Sequence, residues 1–331
     1  MSIRAKEDPV STRHTAVDGT SPSTEATKTD AAETAAVAPE GTNHATAVAA
    51  PERLVVAEPP PAPNYPRYRV EPGTTLRLSE VDPDESEQYR GKKDIKDALG
   101  TQVARIRDLQ ARLYAERQQS LLIVLQAMDT GGKDGTIRGV FEGVNPQGCQ
   151  VWSFKAPSTE ELEHDVLWRY HTKAPSRGMI TIFNRSHYEE VLIVRVKKLM
   201  PEDVWRHRYT MINEFEHMLT LNNTAVIKFY LHISKEEQKR RLQSRLDDPA
   251  KHWKFSSADL KERGYWDDYM AAFEDAIGTC STEYAPWYVV PANRKWYRNL
   301  VVARTIADTL EAMNPQYPPA EAGLETMVIP D

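Results

Sequence analysis

The feature that most restricts the fold is an apolar run, Leu121-Leu122-Ile123-Val124-Leu125, that leads four residues later into the turn Asp129-Thr130-Gly131-Gly132-Lys133-Asp134-Gly135. A strand apolar at every position buries both faces, as strands of a parallel sheet do. Segments 150–154, 179–183, 225–231 and 287–290 have the same strand length and character, and helical patterns separate them. Strands that alternate with helices in this way predict an α/β fold, with a parallel sheet of about five strands and helices on both faces.

The helices can be read from their spacing and their starts. Ile95, Leu99, Val103, Ile106, Leu109 and Leu113 recur every three or four residues, which places them on one stripe of an amphipathic helix. A helix after the glycine turn runs through Phe141. Ser158 with Glu161 opens another through about Tyr170, and Ser234 with Glu237 a charged one. Further helices are expected from 188 onward, over 201–221 and over 295–313. The helical stretch 247–281 interrupts the alternation, so the region 235–265 is a candidate lid over one end of the sheet.

Residues 1–65 read differently. They are rich in Ala, Thr, Pro and Ser and end in the stiff spacer Glu58-Pro59-Pro60-Pro61-Ala62-Pro63. With few large apolar side chains to offset ordering entropy, this segment is expected to be a disordered, solubilising tail. Residues 66–91 read as a linker and N-terminal extension, 92–315 as the folded domain, and 316–331 as a C-terminal tail. The chain's formal net charge of -6 argues against a nucleic-acid-coating protein. No apolar run approaches the roughly twenty residues of a membrane helix. Two well-separated cysteines, Cys149 and Cys280, suit a reducing compartment, and a cytoplasmic location is expected.

The chemistry points to phosphate. Ligands of open parallel sheets sit beyond the carboxyl ends of the strands, where the 129–136 turn lies. Gly131, Gly132 and Gly135 let backbone amides approach an anion, and the following helix aims its positive end at the same place, with Asp134 and Thr136 in its first turn. Lys133 can reach a phosphate. The usual pattern G-x-x-x-x-G-K-[ST] is only partly met, because Ala127 stands at the first glycine and Asp134 at the hydroxyl that usually holds Mg²⁺. Asp129 offers a hard oxygen ligand instead.

A second loop, Phe183-Asn184-Arg185-Ser186-His187-Tyr188-Glu189, ends the 179–183 strand. Arg185 presents a planar fork suited to phosphate oxygens. His187 is either a phosphate-accepting nucleophile or a hydrogen-bonded loop residue. In the lid, Arg241, Arg245, Lys251 and Lys254 interleave with Trp253 and Phe255. These cations form either a solvated face or a polyanion groove, and the two rings either close over a base or pack into the core.

Taken together, the 128–135 turn, the 183–189 loop and the stretch from Arg241-Leu242-Gln243-Ser244-Arg245 through Asp248-Pro249-Ala250-Lys251-His252-Trp253-Lys254 closely resemble the polyphosphate kinase 2 family. The resemblance covers about 92–313. It implies a P-loop kinase-like three-layer sandwich with a helical lid, and phosphoryl transfer between inorganic polyphosphate and nucleoside mono- or diphosphates (AMP and ADP, or GMP and GDP). It further implies that Asp129 and Lys133 are the Walker A acid and lysine, Arg185 the second-motif arginine and Arg245 a lid arginine. Mg²⁺, or Mn²⁺ in its place, would be held by Asp129, with Glu189 a second candidate ligand. Asn184 stands where the family has an aspartate. With Glu189 it resembles the subgroup acting on both mono- and diphosphates. The expected partners are these substrates and further copies of the chain in a homo-oligomer, without nucleic acid or membrane. Two rival functions are an ATP-dependent nucleotide kinase, disfavoured by the missing Ser/Thr after Lys133, and a non-catalytic polyphosphate- or nucleotide-binding module, disfavoured by the retained Asp129, Lys133 and Arg185.

Overall fold

The computed structural model of the chain describes residues 67–330, so the expected disordered tail at 1–65 lies outside the described residues. In chain order the strands are β1 Arg69–Val70, β2 Ser120–Gln126, β3 Cys149–Ser153, β4 Ile180–Asn184, β5 Thr224–His232 and β6 Trp287–Pro291. The helices are α1 Lys92–Glu116, α2 Lys133–Val140, α3 Thr159–Glu163, α4 Trp168–His171, α5 Ile193–Val196, α6 Glu202–Leu221, α7 Lys235–Leu246, α8 Ser257–Arg263, α9 Trp266–Cys280 and α10 Lys295–Met313.

The strands form one sheet in the order β1-β6-β5-β2-β4-β3. Every residue of β2 and β5 is buried, which is why both read as largely apolar runs. β2 pairs in parallel with β5 on one side and β4 on the other, so the glycine turn leaves the sheet centre between two neighbouring strand ends. The helices pack as two sets, α1 with α2 and α10, and α5 with α6 and α9; α10 and α6 both lie against β5. This gives the three expected layers.

Three local readings change. The region expected to be a linker contributes β1, whose Arg69 and Val70 pair antiparallel with Tyr288 and Trp287 of β6. A two-residue edge strand carries no periodicity, so the sheet has six strands instead of about five. The helix opened by the capping box of Ser158 and Glu161 stops at Glu163 and restarts at Trp168, because the Asp165 side chain accepts from Leu167 N and its carbonyl from Trp168 N. The helical stretch from 188 is a 3-10 turn, His187–Glu190, followed by the single turn of α5.

The lid region is α7, a 3-10 segment Pro249–Lys254, and α8, with α9 returning to the core. No helix among the described residues is long and apolar enough to cross a membrane.

Candidate active site

The β2–α2 loop is wound tightly. Gly131 donates its N–H to Met128 O at 2.9 Å, closing a turn. A methyl on Gly131 would lie 2.4 Å from Ala127 Cβ, and one on Gly132, at φ +106°, would lie 2.0 Å from Arg298 Nη1. Thr130 is also left-handed at φ +64°, a conformation that costs a non-glycine residue free energy and clusters at functional sites. Lys133 opens α2 and donates to Ala127 O at 3.1 Å. Burial and the neighbouring Arg185 lower its pKa, so the free site holds its charge at a cost that a bound anion relieves.

The second loop abuts the first because Leu125 and Asn184 are partners in the β2–β4 register. Arg185 is left-handed at φ +62°, and its Nη2 donates to Asp129 Oδ1 at 3.0 Å. Asn184 Nδ2 donates to Asp134 Oδ1 at 2.8 Å. An aspartate at 184 would set two carboxylates against each other there, whereas the amide joins the loops without a cation. The Asp129–Arg185 pair remains partly open to solvent, so it is a weak contact that substrate can exchange.

Asp129, Gly131, Gly132, Lys133, Asp134, Gly135, Asn184, Arg185, Arg241, Arg245, Lys251 and Lys254 all line one cleft of about 600 Å³. Two of the expected site residues do not. Thr136 is buried with its hydroxyl turned back to Gly132 O at 3.2 Å, inside the helix and away from the cleft. Glu189 lies in an adjoining hollow of about 240 Å³, whose wall also includes Asp129 and Arg185. Burial raises its carboxyl pKa, while Arg185 and Lys133 oppose the rise.

The lid cations have unequal roles. Arg241 spends its donors on the protein: Nε on Glu237, Nη1 on Thr130 O and Gly131 O at 2.9 and 3.0 Å, and Nη2 on Ala292 O and Asn293 O at 2.6 and 3.1 Å. It therefore braces the glycine turn, instead of presenting free donors to phosphate as the sequence suggested. Arg245 donates to Lys254 O and pairs with Asp259 at 3.2 Å. Lys251 pairs with Asp248 at 2.7 Å on the exposed rim. Trp253 is 78% exposed with Lys254 Nζ 4.8 Å from its ring centre, which removes core packing as its role. His187 is fully buried and bonded to Glu216, so it is a structural loop residue and not a nucleophile.

Three cations of the cleft escaped the sequence analysis: Lys155, Lys295 and Arg298. Lys155 follows the carboxyl end of β3, where the strand-end rule would have found it. Lys295 and Arg298 sit in the first turn of α10, which carries no acidic residue there. Cations oppose the dipole at a helix N-terminus, and that mismatch is the signal that was available. Arg298 is 2% exposed and meets only neutral acceptors, Asn299 Oδ1 at 2.8 Å and Gly131 O at 3.5 Å. Burial and Arg241 push its pKa down to about 9. In all, nine Lys and Arg side chains line the cleft against two carboxylates, Asp129 and Asp134.

Residues 89–318 match the model of the polyphosphate kinase 2 family. An AMP/ADP-polyphosphate phosphotransferase of Meiothermus ruber is 53% identical over 264 residues, covering 80% of this chain and 99% of the relative. An ADP-polyphosphate phosphotransferase of Rhodopseudomonas palustris is 47% identical, covering 76% of this chain and 91% of the relative. The crystal structure of polyphosphate kinase 2 from Arthrobacter aurescens TC1 superposes with a TM-score of 0.76 at 44% identity, covering 82% of this chain and 96% of that one. With that match over most of the folded region, and with this cationic cleft ending on Lys133, the chain belongs to the polyphosphate kinase 2 family.

Proposed function

We propose that the protein moves a phosphoryl group between inorganic polyphosphate and nucleoside mono- and diphosphates, with AMP and ADP the principal acceptors. The observation that carries this reading is the excess of nine cations over two carboxylates in a cleft that ends on Lys133. A nucleotide triphosphate needs far fewer positive groups than a chain of phosphates. The relatives named for AMP and ADP support the choice of acceptor.

In this reading the terminal phosphoryl group lies between Lys133, the loop amides and Arg185, and the polymer runs past Arg245, Lys251, Lys254, Lys295 and Arg298. These groups neutralise charge that would repel the incoming nucleotide, and such positioning and neutralisation account for most catalysis of phosphoryl transfer. Arg241 shapes the loop whose amides do this. The nucleotide phosphate is already anionic at neutral pH, so no residue is needed as a strong base. Among the described residues no cluster of three or more His, Cys, Asp or Glu forms a metal cage. Mg²⁺ nevertheless fits the donor set, because it is commonly held by one or two carboxylates together with substrate phosphates. Asp129, with Glu189 in the next hollow, would hold it. When bound, the metal supplies further neutralisation of the transferring group.

The test is to incubate purified protein with polyphosphate and, separately, AMP, ADP, GMP or GDP, with and without excess chelator, and to follow the nucleotides formed. Conversion of AMP and ADP that stops with chelator is expected. ATP outperforming polyphosphate as the donor for AMP would transfer the assignment to an ordinary nucleotide kinase.

A further inference from the structure

Beneath the 183–189 loop lies a cluster of charged groups that the reaction as described does not use. Lys228, in the middle of β5, and Glu216, on α6, are both fully buried and form an ion pair. The Lys228 ammonium also donates to Cys280 O, at the end of α9, at 2.7 Å and lies 5.5 and 5.6 Å from the ring centres of Tyr188 and Trp287. The other side of the Glu216 carboxylate accepts from two consecutive loop residues, His187 Nε2 at 3.0 Å and Tyr188 OH at 2.9 Å. One carboxylate thus ties the loop to the central strand, to α6 and to the end of α9.

Stability alone does not account for this arrangement. Taking two charges out of water costs so much that well-packed apolar residues of similar volume commonly serve as well or better. What an apolar pair lacks is direction. Arg185 sits two residues before His187 with its backbone in the left-handed region, and such a conformation persists only where its surroundings over-determine it. Arg185 N donates to Leu125 O at 3.1 Å, Gln126 Nε2 holds Ser186 Oγ at 3.2 Å, and Glu216 takes the next two side chains. The loop is therefore pinned at Arg185 and over the three residues that follow it, and Glu189 follows from the same pinned turn.

We propose that Glu216, held in place by Lys228, is a positioning residue for phosphoryl transfer, fixing the 183–189 loop so that Arg185 meets the reacting phosphates. This rests on the proposed reaction and on the part of Arg185 in it. Glu216 touches no substrate. Its effect passes through the loop, and a misplacement of about 1 Å in a positioning group can cost on the order of 100-fold in rate.

The test uses the full chain with Glu216→Leu and Lys228→Met together, a replacement chosen so that no buried charge is left unpaired. The double variant should fold but melt below the parent, since the buried His187 Nε2, Tyr188 OH and Cys280 O lose their partners. Assayed below its melting range, it should lose about 10- to 100-fold in kcat and keep KM for polyphosphate within about threefold, since the other eight cleft cations stand on other elements. In an Arg185→Ala background the same replacement should cost less than about twofold more, because both act through one group. A folded double variant with parental kcat overturns the proposal, and so do losses that multiply in the Arg185→Ala background. If the double variant does not fold, Tyr188→Phe decides: it removes one donor to Glu216 and leaves the ion pair, and an unchanged kcat overturns the proposal. An inactive parent would refute the reaction itself, whereas an active parent with an insensitive double variant refutes only the anchor.

Discussion

Replacing Arg298 by Met should move stability and activity in opposite directions. The guanidinium is buried against the glycine turn, and its acceptors, Asn299 Oδ1 and Gly131 O, are neutral. Burial and the neighbouring Arg241 push its pKa down to about 9, which corresponds to a cost on the order of 5 kcal/mol for keeping it charged in the free protein. Met removes that cost but also removes three hydrogen bonds, two to Asn299 Oδ1 from Nε and Nη2 and one to Gly131 O, at about 1 kcal/mol each. The net is a stabilisation of about 1–2 kcal/mol, or a Tm rise of about 2–6 °C for a domain of this size. Polyphosphate, by contrast, loses a charged partner worth about 1.5–3 kcal/mol, so kcat/KM should fall about ten- to a hundredfold. Thermal melts with and without long-chain polyphosphate, paired with initial rates, measure both effects. A variant that melts below the parent and still gains the parent's full shift with polyphosphate would refute the reasoning, because Arg298 would then be a structural cation.

Lys133→Ala should lower turnover by about 10³-fold or more, the range for removing a major transition-state cation; near-parental rates would dissolve the phosphate-loop assignment. Arg241→Lys should destabilise the protein by about 3–6 kcal/mol, because one ammonium cannot span the acceptors that Arg241 joins and at least two charge-assisted bonds are lost; an unchanged Tm would show that the brace is dispensable. Affinity for polyphosphate should fall as pH rises and Lys133 loses its proton. Burial and the neighbouring Arg185 lower the pKa of Lys133 in the free protein, so below that pKa the residue is already charged and binding needs no proton, while above it binding must draw one from solution. Calorimetry in buffers of different ionisation enthalpy reads this uptake, and Lys133→Met should abolish the step; a step that persists in the variant would assign it to another group.

Much of the fold is legible in the chain itself. β2 and β5 are apolar at nearly every position because both faces are covered, and α10 keeps its expected bounds of Lys295–Met313. The Ser158 capping box forms as read, since a cap depends on residues three apart. Asp129, Lys133 and Arg185 converge because each follows the carboxyl end of one of two adjacent strands, β2 and β4. β1 was illegible, as two residues of edge pairing depend on where β6 happens to lie.

The local chain determined where strands end, where helices begin and which loops line the cationic cleft, because those depend on side-chain character and on spacings of a few residues. Tertiary structure decided what each cation does there. Arg241 reads as a phosphate ligand but is consumed by the carbonyls of Thr130, Gly131, Ala292 and Asn293. Arg298 reads as an ordinary helix residue but becomes the buried cation beside Gly132. A guanidinium serves whichever acceptors reach it first, and for these two that depends on segments far away along the chain.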